Sequence, residues 1–428
     1  MNRRLTWNDF YGLQRFGMTP NLDNIRLFCE RLGNPEQAFP CVHISGTNGK
    51  GSVTAMLDAV LRNCRLKVGM YTSPHLIQFE ERIRVDGRLI PEDAVFDFLE
   101  KHWKFISEHS CTFFEVATAM GLDYFRRSGV DLAVAEVGLG GTYDATRVVQ
   151  SILSVITRID LDHTERLGET REEIARDKAG IFRRGFPALS GDQQPEVVNV
   201  LRSRAEELGA VFHMADDLVG LTRPRISRNH ISATVSFRQL DLPLNLGRIT
   251  CPLTGSFQFE NLKLVLAALS LLAMQLGQIT SQTIRNGLAS VSWPGRLQEL
   301  RRQPHFILDV AHNPGAVLAS LHNTQNIWKP DRIIAIFGAL RDKDIAGMIA
   351  HLKQFCPVGF MVPLPPPRGL GFEEIQSIPA RYGWNAKAVQ SVNQAVEEGL
   401  AFARKRDLIL AIGSHYLAEE VLKNPEFH

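Results

Sequence analysis

"HISGTNGKGS", residues 43–52, sets small and turn-forming residues around a single lysine, Lys50. Directly before it, "CVHIS" (41–45) reads as a buried strand. Directly after it, "VTAMLDAVLRN" (53–63) has the 3.6-residue apolar period of a helix. A strand, a loop of small residues whose amides point inward, a lysine and a helix N-terminus together make an anion site. The unpaired N–H groups and the positive end of the helix dipole favour a phosphate there. The stretch departs from the general phosphate-loop pattern G-x-x-x-x-G-K-[ST]. Ile44 stands where the first glycine belongs, and Gly51 follows Lys50.

Outward from this loop, apolar runs alternate with helical patterns. "LKVGMYT" (66–72), "DLAVAEVG" (131–138) and "SILSVITRI" (151–159) read as further buried strands. "RIRVDGRLI" (82–90) reads as a hairpin turning at Asp86-Gly87. "TREEIARDKAGIF" (170–182) opens with a capping box, Thr170 with Glu173, and so places Lys178 on a helix. Strands alternating with helices predict an α/β fold, a doubly wound, mostly parallel sheet. Near residues 228–246 the pattern becomes period two, which predicts an antiparallel flap. "LKLVLAALSLLAMQLG" (262–277) reads as a core helix, too short for a bilayer and carrying Lys263 and Gln275. After "SWPGRLQ" (292–298) a second series begins, with "HFILDV", "RIIAIFGAL", "PVGFMVPL" and "DLILAIGS" as its strands. Two domains are therefore expected, 1–294 and a smaller Rossmann-like α/β domain at 295–428.

Composition narrows the partners. The 428 residues are 44% hydrophobic and 22% charged, with a net charge of only +2. "RKR" (404–406) is the only polybasic block and suits a solvated helix end, so nucleic acid is not expected as a partner. Six scattered cysteines without a C-x-x-C pair fit reduced thiols rather than a disulfide framework or a zinc site. The first residues lack the apolar core of a signal peptide, and no run suits a membrane span. A cytoplasmic protein is expected.

The motifs, taken in order, carry a resemblance. "GTNGKGS", "YTSPHL", "ERI", "EVGLGG" with "DAT", "LDH", "KAGI", "PGR" and "DVAHNP" follow one another from about residue 43 to 315. "FGALRDKD" (337–344) extends them, and the opening "FGMTPNLDNIRLFCERLG" (16–33) fits the same pattern. The chain thus resembles the folylpolyglutamate synthase and dihydrofolate synthase branch of the Mur ligases.

That resemblance implies an ATP-dependent ligase, acting as a monomer on a folate or pterin carboxylate and L-glutamate. The carboxylate would attack the γ-phosphate to give an acyl phosphate, which the amine then displaces. Such phosphoryl transfer needs positioning and charge neutralisation more than a covalent protein group. Thr47, Asn48, Gly49, Lys50, Gly51 and Ser52 would cradle the triphosphate. Two Mg²⁺ ions are implied, one near Ser73 and Glu136 and one on His163, with Lys178 carbamylated beside the second. Carbamylation needs a neutral amine, so the site must depress that lysine's pKa. Asn261, Arg296, Asp309 and His312 match nucleotide contacts. Thr112, Phe113, Phe114, Glu115, Tyr143, Asp144 and Ala145 match the pterin-contacting segments.

Five departures are expected to fall away from the triphosphate. The family commonly reads G-G-R-L-D-A-T-N, whereas this chain has Thr142 for the arginine, Tyr143 for the leucine and Arg147 for the asparagine. Phe257 replaces a histidine in G-x-H-Q, and His415 replaces a small or apolar residue. They bear on the acceptor, which is dihydropteroate, tetrahydrofolate or both. Other readings are a Mur-type ligase acting on a different carboxylate and an inactive nucleotide-binding paralogue.

Overall fold

The computed structural model describes residues 5–16, 21–238 and 244–427. Residues 1–4, 17–20, 239–243 and 428 lie outside it, and with them parts of the opening motif, the expected flap and the chain's last position.

"CVHIS" is strand β1 (Cys41–Ser45), buried at every residue. With β2 (Val68–Tyr71), β3 (Ile83–Val85), β4 (Arg88–Leu89), β5 (Leu132–Glu136), β6 (Ser151–Ile156), β7 (Ala188–Ser190) and β8 (Phe212–Met214) it forms one sheet. The strand order is β4-β3-β2-β5-β1-β6-β7-β8. β1 runs parallel between β5 and β6, with Val42 opposite Val134 and Leu153. β3 and β4 form the expected antiparallel hairpin. Asp86 and Gly87 have φ of +50° and +75°, the pair of positive angles that a type I′ turn requires.

Both faces of this sheet are covered, which is why its strands read as unbroken apolar runs. Val42, Ile44 and Val134 pack with Met56, Leu57 and Val60 of the helix Lys50–Asn63. Cys41, Ala133 and Ala135 turn the other way, onto Val116, Ala117 and Met120 of the helix Phe113–Ser128. The core helix expected over 262–277 spans Phe257–Ala273 and joins the first of these cores through Leu262, Val265 and Leu269. It ends where Met274 and Gln275 reach solvent. Among the described residues no helix is long and apolar enough to cross a membrane.

A small antiparallel sheet follows, ordered β11-β10-β9, from β9 (Val219–Ile226), β10 (Ile231–Phe237) and β11 (Arg248–Cys251). The period-two signal is β10. Its neighbour β9 reads as loop because Pro224 and two arginines interrupt the pattern.

The third sheet contains β12 (Gln298–Arg302), β13 (His305–Asp309), β14 (Ile333–Phe337), β15 (Val358–Met361), β16 (Ala386–Ala388) and β17 (Leu408–Ile412). Its order is β12-β13-β17-β14-β15-β16. The four expected strands are the buried central ones. The edge strands "QELRR" and "AKA" lack an apolar run and are invisible to that signal. Ile307, Ala335 and Leu410 face one core, and Phe306, Ile334 and Ile409 the other. The molecule is an α/β protein with a larger N-terminal and a smaller C-terminal sheet domain. The carboxyl ends of β1 and β5 meet those of β13 and β14, where open parallel sheets bind ligands.

Candidate active site

Beyond β1 the chain turns through Gly46 and Gly49, and the helix begins at Lys50, three residues before the apolar period becomes visible. Gly49 has φ +97°, and a Cβ there would lie 2.4 Å from Asn261 Oδ1. Only glycine permits both the left-handed turn and that approach. Its lack of a capping side chain leaves the first-turn amides of the helix available to an anion.

Two lysines converge on one carbonyl. Lys50 Nζ donates to Gly46 O at 3.0 Å and to Thr47 O at 3.2 Å. Lys178 closes the helix Arg171–Lys178 and donates from Nζ to the same Gly46 O at 2.9 Å. Lys178 is 5% exposed. Burial, and after it the charge of Lys50, push its amine down to about 7. Burial also lowers Lys50, opposed by the carboxylates of Glu136 and Asp162. Glu136, the last residue of β5, is buried, which raises its carboxyl, with Lys50 pulling the other way. Its Oε2 accepts from the Ser73 N–H at 3.3 Å.

A second charged knot spans the two sheets. Lys343 follows β14, and its Nζ lies 2.6 Å from Asp162 Oδ1 and 3.0 Å from His163 Nε2. His312 Nε2 lies 3.5 Å from Asp162 Oδ2. Burial would raise Asp162, but the hydrogen bond and charge of His312 and the Lys343 ammonium hold it well below the usual carboxylate range. His163 is pushed down to about 4, by burial first, so its ring is neutral at pH 7. It sits at φ +51°, a conformation uncommon outside glycine.

The expected nucleotide contacts surround these groups. Asn261 Nδ2 donates to Gln258 Oε1 at 2.9 Å, and Gln258 Nε2 reaches Ser52 Oγ at 3.3 Å. Thr47 Oγ1 bonds Asp160 O at 3.0 Å, and Asn48 Oδ1 accepts from Asn313 Nδ2 at 3.0 Å. Asp309 ends β13 and caps the N–H groups of Leu297 and Ala311, both at 2.8 Å. Arg296 feels the charges of Asp309 and Glu136. Contrary to the expectation that the departures fall away from the triphosphate, His415 lines a narrow gap with Gly51 of the phosphate loop, Ser73, Glu136 and Arg296.

The expected pterin segments lie at the start of the helix Phe113–Ser128 and in the loop after β5. Thr112 and Glu115 spend their polar atoms on a capping box. Phe113 packs 4.7 Å from the ring of Phe10 and under the Arg82 guanidinium at 5.2 Å. Phe114 faces Tyr71. Asp144 is buried and holds the N–H groups of Gly138, Leu139 and Thr146. Ala145 is buried beside it, and Tyr143 is 50% exposed. Of the departures, Thr142 Oγ1 bonds Asp177 O and Arg147 Nε bonds Gly180 O, both within the loop that follows Lys178 or the helix before it. Phe257 opens its helix against the C-terminal core.

Among the described residues no three His, Cys, Asp or Glu side chains cluster as a metal cage. Magnesium takes one or two carboxylates and completes its shell with water and phosphate oxygens. Glu136 beside the phosphate loop fits such a role. The Asp162–His163 pair fits a cation as well, since it already holds an ammonium. Sequence reasoning missed Lys343 as a site residue, although it lies in the quoted "FGALRDKD".

Comparison with known proteins follows the same division. The Mur ligase middle domain matches residues 44–269, and the Mur ligase glutamate ligase domain matches residues 295–415. The dihydrofolate synthase/folylpolyglutamate synthase of Escherichia coli K12 is 35% identical over 402 residues, 94% of this chain and 90% of that protein. Mycobacterium tuberculosis folylpolyglutamate synthase complexed with ADP superposes with a TM-score of 0.86, at 29% identity over 95% of each chain. The bifunctional Yersinia pestis enzyme complexed with AMPPNP and a Mn ion gives 0.78, at 31% identity over 95% of this chain and 93% of that one.

Proposed function

The chain belongs to the folylpolyglutamate synthase/dihydrofolate synthase branch of the Mur ligases, an ATP-dependent ligase family, and from that premise we propose that it joins L-glutamate to a folate carboxylate. The acceptor is dihydropteroate, tetrahydrofolate or both. A carboxylate oxygen attacks the γ-phosphorus of ATP, and the bond from that phosphorus to ADP breaks. The glutamate nitrogen then attacks the acyl carbon, phosphate leaves with the former carboxylate oxygen, and the amine proton passes to solvent.

The observation that carries this reading is the pair of lysines on Gly46 O, facing Glu136 across a glycine-rich loop. Lys50 and the loop amides from Thr47 to Ser52 hold the triphosphate. Ser73 and Glu136 would hold one divalent ion, and His163 with a carbamylated Lys178 would hold a second. Bound there, such ions would neutralise charge on the phosphate oxygens. The buried, charge-depressed amine of Lys178 supports the carbamate, because neutral nitrogen is its precursor. Asn261, Arg296, Asp309 and His312 close on the nucleotide. The pterin lies by Tyr143–Ala145 and Thr112–Glu115, where the Tyr143 ring offers an exposed flat surface. The boundary falls between Pro294 and Gly295, where the third sheet is about to begin. All six cysteines are unpaired and buried, which supports a reducing cytoplasm.

A panel of dihydropteroate, tetrahydrofolate and muramyl precursors, scored for glutamate-dependent phosphate release, tests this. Release is expected with at least one folate acceptor. Release with muramyl acceptors alone would point to a cell-wall ligase, and none at all to an inactive paralogue.

A further inference from the structure

Three guanidinium groups line one cavity at the amino ends of the central strands of the first sheet. The cavity has a volume of about 410 Å³ and lies where the chain enters β1 and β6, away from the phosphate loop at the other end of β1. Arg26 stands at its exposed mouth, and half-buried Arg147 and Arg183 stand within. Among the described residues none of the three has a carboxylate oxygen within 4.0 Å of its nitrogens. Glu30 and Glu36 line the cavity without pairing to them, and Glu36 Oε2 has no hydrogen-bond partner.

Local structure uses only part of this charge. Arg147 Nε donates to Gly180 O at 2.8 Å, and an Arg183 Nη2 donates to the Arg147 carbonyl. Among the described residues the remaining guanidinium N–H groups have no protein acceptor. Like charges gathered in a partly desolvated place repel, and an oxyanion removes that cost while engaging the planar N–H forks two at a time. The volume lies within the range of small-molecule sites, about 300–1,000 Å³, and far exceeds a bare phosphate's need. Leu22, Val148 and Val149 add apolar wall.

We propose that this cavity is a binding site for a small organic anion bearing two or more carboxylate or phosphate groups, separate from the nucleotide site. Calorimetric titration of the full chain tests it, with the triphosphate site saturated by AMPPNP and Mg²⁺. The probes are pyrophosphate and, separately, citrate. One equivalent of at least one probe should bind with a Kd below about 1 mM. The better probe tells a phosphate-bearing from a carboxylate-bearing ligand. The Arg26→Ala/Arg147→Asn double variant should weaken that binding about tenfold or more while AMPPNP affinity holds. Arg26→Ala alone, at an exposed position with no structural hydrogen bond, should weaken it in the same direction without affecting folding. Failure of both probes to bind, or equal binding by wild type and Arg26→Ala, would overturn the proposal.

Discussion

Lys50 and Lys178 share a carbonyl but should behave oppositely under mutation. In the proposed function Lys50 faces the phosphates as a compact cation, so Lys50→Ala should lower kcat by about 10²-fold or more, as loss of one preorganised charge-stabilising group does. Steady-state kinetics checks this, and near-normal turnover would contradict the phosphate-loop assignment. Lys178→Ala should be nearly inactive but partly rescued by acetate, which supplies the missing carboxylate oxygens. Lys178→Arg should resist rescue, because its guanidinium still fills the space. The pH dependence follows from the depressed amine. With a value of about 7, it is charged below that pH and neutral above it. At fixed dissolved CO₂, the ¹³C carbamate signal should therefore grow as pH rises through 7 and, because carbamate formation releases a further proton, keep growing until every site is modified. An ordinary lysine, near 10.4, would stay mostly unreactive until about pH 9. Both lysines were legible in the sequence, through "GTNGKGS" and "KAGI". Lys343 was not, because it is 181 residues from Asp162 and only the meeting of two sheets joins them.

At the scale of elements, the Lys50–Asn63 helix is held by backbone contact as well as side chains. A Cβ at Gly287, on the neighbouring helix Ser281–Ala289, would lie 2.4 Å from Val60 Cα. Backbone cannot yield as a flexible side chain does, so Gly287→Ala should cost about 1–3 kcal/mol. A urea midpoint lowered to match, with nucleotide affinity retained at low urea, is the expected result. An unchanged midpoint would show that the two helices lie further apart. Legibility at this scale followed burial. Central strands such as β1, β14 and β17 announced themselves as apolar runs, and the Asp86-Gly87 hairpin by its turn residues. The short strands β7, β8 and β16 escaped, since three residues carry no period. Thr112 and Glu115 matched a pterin motif in sequence, yet they also cap a helix. Their spacing alone could not separate those uses.

Across the whole molecule, the site is assembled from both domains. Asn48 meets Asn313, and Asp162 meets Lys343 and His312. Separately expressed halves, 1–294 and 295–428, should each fold and fail to ligate. A first half that ligates at full rate would refute a shared site. Lys343 and Asp162 are both nearly buried, with side chains 5% and 10% exposed. Removing one partner of such a pair costs about 3–5 kcal/mol. Lys343→Ala should therefore lower Tm, and Mg²⁺ should recover part of the loss by supplying another cation, as scanning calorimetry would reveal. The central claim is carboxylate activation by ATP followed by amide formation, and isotope transfer tests it most directly. A folate acceptor labelled with ¹⁸O in its reacting carboxylate, incubated with ATP and L-glutamate, should yield one ¹⁸O in the released phosphate for each amide formed. Amide formation accompanied by phosphate free of ¹⁸O would contradict the account.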